Sequence, residues 1–325
     1  GQPIDLLILI ADRRWVVRVF IGTLPKIKAI VENETFRCIR EEQMDSIHRY
    51  TTLGDWNEKG YVVVRGLFDA GQTERLREIA ESVLTQWRLR NPENGEPGQP
   101  DATVMRHLNH PGYFAEDPEA KTTLLEAIAA AKPLAVCRDI LGEEPLFRCT
   151  SLFMQPLLNS REGSWHRDSQ FHCPDLEDER QMVAGGGEAG HAVQLQVALV
   201  PSDDVEVVPA SHNRWDTPEE FAIRRADGGK NSTSSAMPGA LRVALDAGDA
   251  VAFNPLGLHR GRYHVDKERR TLMLTYTKSS VPRFDYFSNQ PWFSNANYLE
   301  GVGVDAQRFF SRFVTEYEAE WEKEQ

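Results

Sequence analysis

Gly248-Asp249-Ala250-Val251-Ala252-Phe253-Asn254-Pro255 reads as a turn followed by a short apolar strand, with His259 at a strand end four residues on. Ninety-three residues before that histidine runs Trp165-His166-Arg167-Asp168. His166 and Asp168 are two apart, so on an extended chain they project to the same side, because strand side chains alternate. One imidazole and one carboxylate on one side can share a metal ion, and His259 is the candidate third ligand. Three ligands on one face of a metal leave the opposite face open.

The chain around these stretches has the texture of a β domain. Between Phe147 and Tyr276, short apolar runs (Ser151–Gln155, Ala192–Val200, Val205–Val208, Leu241–Ala244, Ala250–Asn254, Thr271–Thr277) are broken by Gly, Pro, Asn and Asp. Short strands with turn signals between them predict a sandwich or barrel. Helical patterns flank them. Leu76, Ile79, Val83, Leu84 and Trp87 give one apolar face to a helix from Asp69 to about Arg90, and Pro118–Leu141 is rich in Ala and Leu. Phe309, Phe310, Phe313, Tyr317 and Trp321 mark a helix over 306–322 laid on the sheet. Residues 1–50 read as helical and amphipathic. The expectation is an α+β chain with a mainly β core. Residues 1–54 form an N-terminal helical extension, 55–280 the catalytic domain, and 281–325 a C-terminal helical segment packed on the core. The extension offers a surface for a homodimer.

A net charge of -12 argues against nucleic acid and anionic membranes, whose binding is driven by Lys and Arg. A small-molecule substrate is the better default. The apolar stretch Ile4 to Ile10 is too short to span a bilayer and lacks the pattern of a signal peptide. The four cysteines form no CxxC pair and read as scattered thiols of a reducing, cytoplasmic compartment.

Two histidines and one carboxylate are the ligand set of non-haem iron(II) oxygenases, whose open positions take a bidentate 2-oxo acid and O2. Arg269 and Arg270 stand ten and eleven residues beyond His259, at the head of Thr271-Leu272-Met273-Leu274-Thr275-Tyr276. A guanidinium there matches the distal carboxylate of 2-oxoglutarate bidentately. The residues themselves leave open which of the two arginines does so.

Four stretches, in order, resemble the phytanoyl-CoA dioxygenase superfamily of 2-oxoglutarate-dependent oxygenases. Asn57-Glu58-Lys59-Gly60-Tyr61-Val62-Val63-Val64-Arg65-Gly66-Leu67 resembles its N-terminal strand, and Ser164-Trp165-His166-Arg167-Asp168 its WHxD metal motif. Val207-Val208-Pro209-Ala210-Ser211-His212 resembles its VVPGSH strand and turn, and Gly248-Asp249 through His259 and Arg270 its last motif. The resemblance implies a double-stranded β-helix (jelly roll, cupin-like) with helices outside. It implies His166, Asp168 and His259 as Fe(II) ligands, with 2-oxoglutarate and O2 as cosubstrates. It also implies an arginine about eleven residues after the last ligand, hence Arg270, which by strand parity shares a face with Leu272 and Leu274. Ala210 stands where the family has glycine. Gly261 stands where it often has serine, which removes a contact to 2-oxoglutarate and makes Gln155 a candidate replacement. Related halogenases put a small residue in place of the carboxylate. Asp168 is intact, so the implied reaction is hydroxylation or another oxidation of a C–H bond, releasing succinate and CO2.

Arg167, Gln194, Gln196, Arg260 and His107 are candidate substrate contacts. Gln194 and Gln196 share one face of an otherwise apolar strand, read here as the barrel interior; the bland alternative is a solvent face. His172 and His264 read as loop residues and His212 as a hydrogen-bonding turn residue. Gly185–Gly190 matches GxGxxG, but a polar stretch precedes it and a strand follows, so the dinucleotide reading fails and the loop reads as a lid. Two rival functions remain. One is a cupin-like metalloenzyme of non-oxidative chemistry holding zinc or manganese. The other is an inert jelly-roll binding protein, against which an intact triad with a clamp arginine argues.

Overall fold

The computed structural model describes residues 3–10, 13–20, 53–173, 175–185 and 191–324, which fall into two units, Gly1–Thr51 and Thr52–Gln325. In the first unit, β1 (Pro3–Ile10) pairs antiparallel with β2 (Arg13–Phe20), Leu6 opposite Val17. This corrects the helical expectation for the start of the chain. Ile4, Ile8, Ile10, Val16, Val17 and Val19 are stiff at χ1 and favour a pleated backbone over a helix. Residues 21–52, also expected to be helical, lie outside the described residues.

The second unit opens with a helical turn over 53–59 and β3 (Tyr61–Val64). Helix α1 (Ala70–Leu89) is started by Asp69, whose carboxylate accepts from the Gln72 N–H in a capping box, and it buries the predicted face of Leu76, Ile79, Val83, Leu84 and Trp87. After β4 (Val104–Arg106) come α2 (Pro118–Ile128) and α3 (Ala131–Leu141). The sequence pattern reads as one helical region there, but Pro133 lacks an N–H and its ring would strike the carbonyl four residues back, so the chain breaks and restarts. The remaining elements are β5 (Pro145–Met154), β6 (Arg161–Glu162), α4 (Leu176–Gly185), β7 (Ala192–Ala198), β8 (Val205–Val207), α5 (Pro218–Arg224), β9 (Leu241–Arg242), β10 (Ala250–Phe253), β11 (His259–Tyr263), β12 (Arg270–Lys278) and α6 (Val304–Glu324).

The strands form a six-stranded antiparallel sheet, β3-β10-β7-β12-β5-β4, and a four-stranded one, β6-β11-β8-β9. This is the jelly roll with flanking helices that the strand pattern and the resemblance imply. The large sheet is buried on both faces. On its outer face Leu272, Leu274 and Tyr276 join the helix-packed core, and Tyr276 donates its hydroxyl to the Ile128 carbonyl at 2.6 Å. On the inner face Met273 and Thr275 border a cavity. Helix α6 covers the core with Phe309, Phe310, Phe313, Tyr317 and Trp321, and Phe313 meets Phe147 ring to ring at 5.1 Å.

The Val208–His212 turn is tied to the segment before His259, where the Leu258 N–H donates to Ser211 Oγ at 2.8 Å. Gly60 (φ 78) lies against the His212 ring, where a Cβ would collide. Ala210, in the position of the family glycine, takes φ 59, a left-handed conformation that costs an L-residue roughly 1–2 kcal/mol. Ala210→Gly is therefore expected to raise stability by about 1 kcal/mol after the entropy cost of glycine. A denaturant midpoint unchanged or lowered would contradict that assignment of strain.

Candidate active site

His166 and His259 come from segments zipped together by their own backbones. The His166 N–H donates to the His259 carbonyl at 3.1 Å, and the His259 N–H to the His166 carbonyl at 3.0 Å. Each ring pairs its Nδ1 with a carbonyl two residues earlier, Ser164 at 2.7 Å and Gly257 at 2.9 Å. A proton held on Nδ1 leaves the Nε2 lone pair free, which is how ligating histidines are oriented. Both Nε2 atoms converge on Asp168 Oδ1, at 3.6 Å from His166 and 3.5 Å from His259. The other carboxylate oxygen accepts from Gln194 Nε2 at 2.5 Å, which fixes the carboxylate plane. The three ligand atoms lie within 4.8 Å of one another.

The protonation states suit a cation. Burial, reinforced by His259, depresses the His166 imidazole to about 4, so it is neutral at physiological pH. Burial works to raise the Asp168 carboxyl, but the hydrogen bond and charge of His259, the charge of His166 and the Gln194 amide hold it at about 2. Two imidazoles and one ionised carboxylate on one face fit a divalent metal with open positions, iron(II) among them.

Arg167, a predicted substrate contact, points away from the cavity. Its guanidinium is fully buried, pairs with Asp216 at 2.8 Å and donates to the carbonyls of Ser211 and Leu256. It thereby ties the His166–Asp168 segment to the loop that leads into His259. Asp216 also binds Arg224 of α5 at 2.7 Å, and Arg224 binds Glu179 of α4 at 2.8 Å. Arg167→Ala would leave a buried carboxylate short of a partner, with an expected loss of about 3–5 kcal/mol. Urea unfolding checks this, and a loss below about 1 kcal/mol would contradict it.

Four more predicted site residues are engaged by other protein groups. Arg260 borders the cavity, but its guanidinium is occupied by Glu206 and the Thr233 and Ser234 carbonyls and lies 4.7 Å over the Trp165 ring. His107 lies behind the cavity wall, with Nδ1 2.7 Å from Glu93 and Nε2 3.2 Å from the Phe287 carbonyl. Burial would depress it, yet the neighbouring Cys149 and Glu93 push it up to about 10. Arg270 faces the outer side, where Glu81 of α1 grips it with both oxygens, Nε at 2.5 Å and Nη2 at 3.2 Å. Gln155 is spent on the same side, accepting from Arg270 Nη1 at 2.5 Å and from the Arg269 N–H at 3.1 Å.

The triad opens onto a cavity of about 420 Å³. Gln194 and Gln196 line it, as their shared strand face predicts. The Gln196 amide oxygen is buried and has no hydrogen-bond partner among the described residues. His172, read as a loop residue, also borders the cavity, whereas His264 faces Glu162 at 3.3 Å. The lid assigned to the glycine stretch falls on residues 186–190, which lie outside the described residues.

Arg269 is the inward arginine. It is 2% exposed, and its guanidinium stacks on Tyr263 at 4.6 Å and Phe153 at 5.2 Å. Its hydrogen bonds go to neutral oxygens, Thr271 Oγ1 at 3.3 Å and the Arg262 carbonyl at 3.0 Å. Among the described residues no carboxylate pairs with it. Gly261 makes room for it, since a Cβ there would sit 2.6 Å from the Tyr263 hydroxyl and 2.7 Å from Arg269 Nη1. Tyr263 and Phe153 were not singled out in the sequence. Counting in twos from His259 to Gly261 and Tyr263 would have found the first.

The family model of phytanoyl-CoA dioxygenase (PhyH) matches residues 56–271. No curated protein sequence matches the chain. Among solved structures, AviO1 from Streptomyces viridochromogenes Tue57 is similar at 15% identity and TM-score 0.53, over 73% of this chain and 98% of that one. EctD from S. alaskensis with bound Fe is similar at 18% identity and TM-score 0.50, over 74% and 81% of the two chains. The epimerase SnoN in complex with Fe3+, alpha ketoglutarate and nogalamycin RO is similar at 18% identity and TM-score 0.50, over 80% and 93%. These likenesses show a shared fold. With the motif order and a family match that covers about two thirds of its length, the chain belongs to the phytanoyl-CoA dioxygenase family.

Proposed function

We infer that this protein is an Fe(II)- and 2-oxoglutarate-dependent oxygenase that oxidises a C–H bond of a small organic molecule, by hydroxylation in the first instance. The observation that carries the reading is a pairing within one cavity. Two histidine Nε2 atoms and one Asp168 oxygen converge there, and the same cavity holds Arg269, a buried cation with no acidic partner among the described residues. A buried charge is costly unless paired, and a dicarboxylate cosubstrate supplies the missing anion. Iron(II) with 2-oxoglutarate supplies activation of O2 for C–H oxidation. His166, Asp168 and His259 would hold the metal, Gln194 would keep the Asp168 carboxylate turned toward it, and Arg269 would clamp the distal carboxylate. Phe153 and Tyr263 would shield that ion pair from water, which strengthens it.

Similarity to structures holding iron and alpha ketoglutarate supports the cosubstrate reading. A ferrous centre and the buried free thiols of Cys137, Cys149 and Cys173 suit a reducing cytoplasm. No helix among the described residues is long and apolar enough to cross a membrane. The test is anaerobic addition of iron(II) and 2-oxoglutarate to the full chain. A weak visible metal-to-ligand charge-transfer band, with succinate release once O2 and substrate are admitted, is the expected result. Stoichiometric metal binding without the band would move the assignment to a non-oxidative metalloenzyme.

A further inference from the structure

A second group of cations borders the same cavity. Arg106, Arg148 and Arg283 all line it, and they gather around Phe287 and Asp285. Arg106 and Arg148 lie over the Phe287 ring at 5.2 and 5.5 Å. Arg148 reaches Asp285 at 2.5 Å and Arg283 reaches the same carboxylate at 3.3 Å. Arg106 spends one nitrogen on Ser151 Oγ at 2.7 Å and has no carboxylate partner among the described residues. Among the described residues Arg106 and Arg148 thus have one carboxylate between them, in a chain whose net charge is -12. That imbalance is placed where it would draw an anion toward the metal.

The backbone is bent to bring one of these arginines inward. Across β5 and β12, Cys149 faces Thr275 and Phe147 faces Tyr276, so Arg148 is an extra residue at a β-bulge. A bulge re-aims a side chain, and Arg148 and Cys149 line the cavity together although they are consecutive. The Arg148 carbonyl is satisfied from outside the ladder by Gln290 Nε2 at 2.9 Å. The walls beside the cations are aromatic. Phe153 and Phe287 flank Arg106, and Phe171, 67% exposed, stands at the cavity with its ring 5.4 Å from the His166 ring. Planar guanidinium groups on aromatic faces bind carboxylates bidentately and are more weakly hydrated than an ammonium.

We propose that the substrate is a small carboxylic acid with an apolar or aromatic body, whose carboxylate is held by Arg106 and Arg148. This deepens the oxygenase reading and rests on it, since it names what the metal would oxidise. The probes are matched aryl and alkyl skeletons, each as free acid, primary amide, primary amine, phosphate monoester and CoA thioester. They are titrated into the full chain loaded with iron(II) and saturating 2-oxoglutarate under anaerobic conditions. Thermal midpoint and the charge-transfer band are read.

Free acids alone should bind. Arg106→Gln or Arg148→Gln should weaken them about 10-fold or more, Arg106→Lys should recover part of the loss, and Arg270→Gln should leave it unchanged. Repeating the thermal titration without 2-oxoglutarate in Arg269→Gln separates this site from the cosubstrate clamp, and acid binding there should persist. Equal binding of amides or amines overturns the proposal. So does binding confined to phosphate monoesters or CoA thioesters, acid binding indifferent to Arg106→Gln, or no acid binding at all in protein that shows the band. Acid binding by this arginine-dependent route in protein that never shows the band would instead sink the oxygenase reading and leave the anion site standing.

Discussion

His166→Ala is expected to weaken iron(II) binding by more than about 100-fold and to abolish the charge-transfer band, because the loss of an outer hydrogen-bond partner alone costs about 10–100-fold. The variant would leave two ligands, His259 and Asp168, and would remove one of the two Nε2 atoms that converge on Asp168 Oδ1. His259→Ala should behave alike. Its ring, like that of His166, is set by a carbonyl two residues earlier, so neither histidine is redundant. Gln194→Leu makes the graded comparison. It removes the 2.5 Å bond to Asp168 Oδ2 but no ligand, so metal affinity should fall by about 10–100-fold and the band should return at high iron. Anaerobic metal titration with the band as readout measures all three. Undiminished tight iron binding in His166→Ala would place the metal elsewhere.

Arg269→Gln should weaken 2-oxoglutarate binding by roughly 100-fold, since truncating one partner of a buried, hydrogen-bonded charge pair costs about 2–5 kcal/mol. Arg270→Gln should leave that affinity nearly unchanged. It would instead lower stability, because Glu81 holds Arg270 on the far side of the sheet and would lose its partner. Band intensity against 2-oxoglutarate concentration gives the first quantity and urea unfolding the second. The reverse pattern, with affinity lost in Arg270→Gln and kept in Arg269→Gln, would overturn the assignment of the clamp. The two variants differ by one position at the head of β12 and point to opposite sides of the sheet, so the pair controls for general disturbance of that strand.

That strand shows where reading the sequence stops. Its alternation is legible: Leu272, Leu274 and Tyr276 on one side, Thr271, Met273 and Thr275 on the other. In a half-exposed sheet the apolar side would be the inside. Here both sides are buried, one under helices and one against the cavity, so periodicity cannot say which is the lumen. Placing Arg270 with the leucines was right as geometry, and the fold puts that face against the helices rather than the cavity.

The sequence by itself determined the three candidate metal ligands that the fold brings together, the strand-rich core and its helical flanks. The two-residue spacing of His166 and Asp168, the histidine after the Gly248–Pro255 stretch and the apolar periods of the helices are all local facts. The tertiary structure alone decided which cations serve the cavity. Arg167, Arg260 and Arg270 are bound to carboxylates that lie far away in the chain, whereas Arg269 meets no carboxylate among the described residues and Arg148 is turned inward by a bulge. An arginine is a structural tie or a ligand clamp according to whether its charge already has a partner, and that partner is chosen by the fold.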